Sequence, residues 1–211
     1  MRTGRQTVGQ RPAATRRRRL RVATAILVAV AASACGDMQR EGTGSSFLIV
    51  DALSAAPGAE PDKFGNTLFS DVITTKDGQT GVFADIGKAT FSLAMKDAGS
   101  ATAPTTANFI TVDRYHVTFI RSDGRNKPGV DVPYPFDGAF TTTVGSDGAN
   151  GAFTIVRHTS KLEAPLLALG SNGVIISTLA EVTFYGHDQT GREASASARM
   201  SVDFGNFQDP K

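Results

Sequence analysis

The chain of 211 residues has no tryptophan, one cysteine, three tyrosines and three histidines. With a single cysteine no disulfide can close within the chain, so the fold must rest on its apolar core. His116, His158 and His187 show no spacing that would bring two of them to one metal ion. Lack of tryptophan leaves Tyr134 and Tyr185 as the aromatic faces a sugar platform could use. Gly-x-Ser-x-Gly is absent, since Gly170-Ser171-Asn172-Gly173 is one residue short and reads as a turn. No glycine loop between a strand and a helix is present to cradle a phosphate. Asp-Gly pairs at Asp77, Asp123, Asp137 and Asp147 lack the Asp-x-Asp-x-Asp spacing of a calcium loop and read as tight turns. The chain therefore reads as non-catalytic, with no cofactor and no metal implied.

What is present begins near the N-terminus. Arg16 to Arg19 and Arg21 precede an apolar run from Val22 to Ala34, which leads into Ala32-Ser33-Ala34-Cys35. This run of thirteen residues spans roughly 20 Å as a helix, short of the ~30 Å hydrocarbon core. The run therefore reads as the apolar region of a secretory leader, with its arginines on the cytoplasmic side. Small residues ahead of Cys35 resemble the lipobox of bacterial lipoproteins, with Ala32 where leucine is usual. That resemblance implies cleavage before Cys35 and lipid on its sulfur and amine, an anchor stable with two or more chains. With Gly36 next to the cysteine, it also implies an exported protein in the bacterial cell envelope, with the outer membrane favoured. The general secretory route is expected over a twin-arginine one, because Arg19 stands where that signal prefers an apolar residue.

Charge follows from the same division. The chain has 22 Lys+Arg against 20 Asp+Glu, and eight of the arginines lie at or before Arg21, leaving 14 − 20 = −6 beyond it. An acidic domain argues against nucleic acid and against anionic lipid headgroups as partners.

Residues 36–46 are polar and glycine-rich and read as a flexible tether. From residue 47 to 211 the chain reads as one domain of short alternating runs. Ala194, Ala196, Ala198, Met200, Val202 and Phe204 share one face of a strand spanning 192–204. Val182 and Phe184 alternate with Glu181, Thr183 and Tyr185, and Asp188-Gln189-Thr190-Gly191 supplies a turn between the two runs, predicting an antiparallel hairpin. Further strands are expected at 47–53, 67–74, 89–95, 115–119, 138–144 and 153–155. One short helix is expected over 160–169, with Ser160 as cap, Pro165 limiting its length and Gly170 as stop. Seven or eight strands and one helix predict an all-β, single antiparallel β-sandwich. In strand number and spacing it resembles immunoglobulin-like and fibronectin-type domains, without the Cys…Trp…Cys hallmark.

The long connection 121–138 is the candidate binding loop. Pro133 and Pro135 stiffen it, while Tyr134 and Phe136 supply aromatic anchors. The other reading of the same residues has Tyr134 and Phe136 folding back to close an end of the sandwich. Together these features predict a lipid-anchored envelope protein that binds or scaffolds, held to the membrane through Cys35. Its partner would be another envelope protein or a surface polymer, met through the loop and the edge strands. The alternatives are a small-ligand or glycan-binding module, and a hydrolase or metal protein without a recognisable motif.

Overall fold

The structure is a computed structural model, and it describes residues 44–76, 78–97, 99 and 104–207. It is all-β. Ten strands, β1 (Ser46–Ala56), β2 (Thr67–Asp71), β3 (Thr74–Lys76), β4 (Gln79–Gly81), β5 (Asp85–Met95), β6 (Ile110–Ile120), β7 (Phe136–Val144), β8 (Ala149–Val156), β9 (Ile176–Asp188) and β10 (Glu193–Gly205), follow one another in the chain. Three of them form a sheet in the order β1-β5-β8 and five form a sheet in the order β2-β10-β9-β6-β7. β3 and β4 make a separate small hairpin. The two larger sheets are partly curled, in the manner of a half-barrel.

The expected hairpin is present. β9 and β10 pair antiparallel from Glu193↔His187 to Phe204↔Ile176. Val182, Phe184, Met200, Val202 and Phe204 face inward, as their alternation requires. β2 runs parallel to β10, from Ser201↔Thr67 to Gly205↔Asp71, a pairing between strands distant in sequence.

One aromatic cluster joins the inner faces. Phe91 of β5 and Phe184 of β9 meet edge to face with centroids 4.9 Å apart. Tyr115 of β6 meets Phe153 of β8 at the same 4.9 Å, and the Tyr115 hydroxyl accepts the Thr154 N–H at 3.2 Å. Burial pushes the Tyr115 phenol above its ordinary pKa. Gly138 makes room for this ring: a Cβ there would sit 2.2 Å from Tyr115 Cζ.

Local expectations needed correction in several places. The 67–74 strand breaks after Asp71 and resumes as β3. Instead of one helix over 160–169, two single turns occur, α1 (His158–Lys161) and α2 (Leu169–Asn172), with a 3-10 turn at Leu166–Ala168 between them. Ser160 lies inside α1, whose N-cap is Arg157. Gly170 lies inside α2, which stops instead at Gly173 with φ 63°. A short 10-residue segment carrying a proline cannot sustain a continuous helix against the pull of tertiary packing. Gly78, Gly124 and Gly148 have the positive φ of turn residues, whereas Asp137-Gly138 lies inside β7.

The strands define two ends. Chain entry is at Ser45 and Ser46, where Asn108 Nδ2 donates to Ser45 Oγ at 2.6 Å and Ser46 Oγ donates to Asn108 O at 2.8 Å. That end also holds the start of β6 and the 188–192 turn. The far end holds the connections 57–66, 72–84, 121–135 and 157–175. Eleven residues of β6 separate the two, or roughly 34 Å at strand rise.

Candidate functional site

Three arrangements in the domain are candidates for a functional site. Loop 121–135 is cross-braced from within. Asp123 Oδ2 accepts from Arg121 Nη2 at 2.7 Å and from Arg125 Nη2 at 2.8 Å. Arg121 N–H donates to Asn126 Oδ1 at 2.7 Å, and Gly129 N–H to Val132 O at 2.8 Å. The two guanidiniums and the Arg125 N–H hold the Asp123 carboxyl well below the usual carboxylate range. Such bracing restricts the conformations open to the loop backbone.

The candidate residues separate on this frame. Tyr134 is 51% exposed, and its ring lies over Gly129, where a Cβ would approach the hydroxyl oxygen to 2.3 Å. Gly129 has φ 73°, a conformation that glycine alone adopts easily. Pro133 is buried and Pro135 exposed. Phe136 is the first residue of β7 and only 5% exposed, against Tyr115 on one side and the Arg157 guanidinium 4.3 Å over its ring. Phe136 is therefore core and closes the end of the fold, while Tyr134 remains available. The Tyr134–Pro135 bond is not among the cis peptides of the described residues. Cys35 lies outside the described residues.

Around Tyr134 the far end is apolar. Twelve large apolar side chains are exposed among the described residues, and eight of these stand in far-end connections. Val130 and Tyr134 come from the braced loop; Leu162, Leu167, Val174 and Ile175 from the segment between β8 and β9; Phe64 and Phe83 from the remaining two. Scattered single exposures are ordinary; here eight of the twelve lie in connections at one end.

A buried charge cluster ties two of those connections, 57–66 and 157–175, to β2 and β5. Lys161 Nζ donates to Asp85 Oδ1 at 2.9 Å and to Asp71 O at 2.8 Å, and the two side chains are 1% and 0% exposed. Asp85 also accepts from Ser70 Oγ at 2.6 Å and Gly58 N at 2.9 Å. Burial pushes the Asp85 carboxyl up, with Lys161, Ser70 and Gly58 pulling it back. Groups from β2, the 57–66 connection and α1 thus meet on the one carboxylate that opens β5. No spacing in the sequence signals it, because Lys161 and Asp85 are 76 positions apart.

The third arrangement is a cleft of about 610 Å³ near chain entry, lined from β1, β6, β9 and β10. A β-bulge in β6 builds one wall. Register skips between Val112 and Arg114, so Asp113 and Arg114 are both exposed in succession. Arg114 then lies 4.3 Å over the Tyr185 ring, and Asp113 Oδ2 lies 3.8 Å from His187 Nε2. Lys96 lies 5.0 Å over the Phe47 ring, and Glu193 completes the charged lining. His116 is paired elsewhere, with Asp137 at 2.9 Å, and His158 is exposed at the far end. No group of three or more His, Cys, Asp or Glu among the described residues is placed to hold a metal ion. No helix among them is long and apolar enough to cross a membrane.

Family models, curated proteins and solved structures were all compared with the chain, and none matches it. Its function must be argued from its own geometry.

Proposed function

We propose that this is a lipid-anchored protein of the bacterial cell envelope, held through Cys35, that binds another envelope protein with the end of its domain opposite chain entry. The observation that carries this reading is the gathering of exposed apolar side chains in the far-end connections, with Tyr134 held on a braced loop. A chain tethered at its N-terminal side presents that end about one strand length, roughly 34 Å, beyond the entry point. Rigid aromatic side chains beside apolar neighbours bind with little loss of rotamer freedom. The role is adhesion or scaffolding, without a catalytic step. Leader residues 16–35 support export and lipidation, with outer-membrane placement following from Gly36.

The domain is an immunoglobulin-like sandwich in this proposal. The order β1-β5-β8 against β10-β9-β6-β7 corresponds to strands A-B-E against G-F-C-C′ of that fold. Phe91 and Phe184 then stand on B and F, where the family has its disulfide, and Tyr115 on C, where it has tryptophan. An edge-to-face aromatic pair would replace the covalent pin in a chain with a single cysteine. β2, parallel to β10, and the β3–β4 hairpin depart from the plain seven-strand pattern.

The test is photo-crosslinking in cells from Tyr134 and Leu167, with Thr143 on β7 as control and Cys35→Ala as the unanchored comparison. One stoichiometric partner captured from the first two positions and absent from the control supports the reading. Equal capture from all three, or none, refutes it.

A further inference from the structure

We infer that the entry-end cleft is a binding site for a small zwitterion, a primary ammonium joined to a phosphate or carboxylate through a short linker. Its volume of about 610 Å³ lies within the range of small-molecule sites, roughly 300–1,000 Å³. Its charge is what sets the ligand class. Arg114 and Lys96 supply two cations, each laid over an aromatic ring that limits its motion. Asp113 and Glu193 supply two carboxylates in the same lining. A simple anion would meet both carboxylates and a simple cation both basic groups, each with repulsion. A ligand bearing both charges satisfies the two sets together.

The aromatic faces argue the same way. Arg114 and Lys96 each occupy one face of Tyr185 and Phe47, which leaves less ring surface on which a sugar could stack. A planar guanidinium suits the two oxygens of a phosphate or carboxylate, while a primary ammonium can donate to both acidic side chains. The bulge at Asp113 has a purpose on this account. In regular alternation only one of Asp113 and Arg114 would face the cleft, while the other turned to the core face. This site is separate from the far-end surface and does not depend on the partner proposed there.

The test is an NMR titration of the full-length protein in detergent with phosphoethanolamine, and with glycine, inorganic phosphate and ethanolamine in parallel. Saturable shifts at the amides of 185–187 and 193–195 are expected for phosphoethanolamine or glycine, with phosphate or ethanolamine alone binding about tenfold more weakly. Arg114→Gln and Glu193→Gln should each weaken zwitterion binding about tenfold. Glu193 opens β10 at the surface, so its variant keeps the fold. Short-chain phosphatidylethanolamine identifies the source: tighter binding than phosphoethanolamine assigns a lipid headgroup, equal binding a free compound. Phosphate binding as tightly as phosphoethanolamine overturns the inference. So does an absence of saturable shifts, or a folded Glu193→Gln variant that binds like the parent.

Discussion

Lys161 Nζ lies 2.9 Å from Asp85 Oδ1, with both side chains withdrawn from water. The pair is bonded further to Asp71 O, Ser70 Oγ and Gly58 N. Breaking such a pair leaves one charge buried without its counterion, which costs about 3–5 kcal/mol. Lys161→Met and Asp85→Asn should each lower unfolding free energy by about that amount in urea titration. The double variant should lose clearly less than the sum, because the second substitution removes the charge that the first had stranded.

Gly138→Ala tests the aromatic core. The added methyl would meet the Tyr115 ring at 2.2 Å, and that ring is hemmed by Phe136, Phe140 and Phe153. A loss of about 1–3 kcal/mol is expected, with a lower midpoint in thermal unfolding. An unchanged midpoint would show that the ring has room to move.

Tyr134→Ala separates surface from core within one loop. Tyr134 is half exposed and its neighbour Phe136 buried, so the first truncation should change stability by no more than about 0.5 kcal/mol and the second by about 3–5. Thermal denaturation of the two variants side by side gives the answer. Equal losses would place Tyr134 in the core as well.

Acid should spare the loop until well below neutrality. Asp123 is held below the usual carboxylate range by Arg121 and Arg125. A carboxyl depressed in the folded state contributes order that is complete above its unfolded pKa, about 3.9. That contribution is lost only as pH falls through the lower folded value. Amide shifts of Arg125 and Asn126 should therefore hold steady from pH 7 to about pH 4. Movement of these amides near pH 5 would mean that the bracing is absent in solution.

What the sequence made legible was local and periodic. β9 and β10 could be placed because six alternating pairs ran from residue 193 to 204 and a turn preceded them. Two positions apart, Tyr134 and Phe136 looked alike, and their separation depends on where β7 starts, which no periodicity marks. The bulge at Asp113 was hidden because counting by twos through Arg114, Tyr115 and His116 gives a good strand whether or not one residue is skipped before it. The cleft and the Lys161–Asp85 pair draw on segments far apart in the chain, so only tertiary structure brings them together. The 160–169 segment carried helical signals at its ends, but Pro165 and packing reduced it to separate turns.

Which end of the domain meets a partner is the central claim, and in-cell photo-crosslinking compares the ends directly. With the crosslinker at Tyr134 or Leu167 the account predicts one partner captured in proportion to the protein, and none with it at Thr143. That partner should be lost when Cys35→Ala removes the anchor. Capture from Thr143 as strong as from the far end, or recovery of the protein alone from every position, would contradict it.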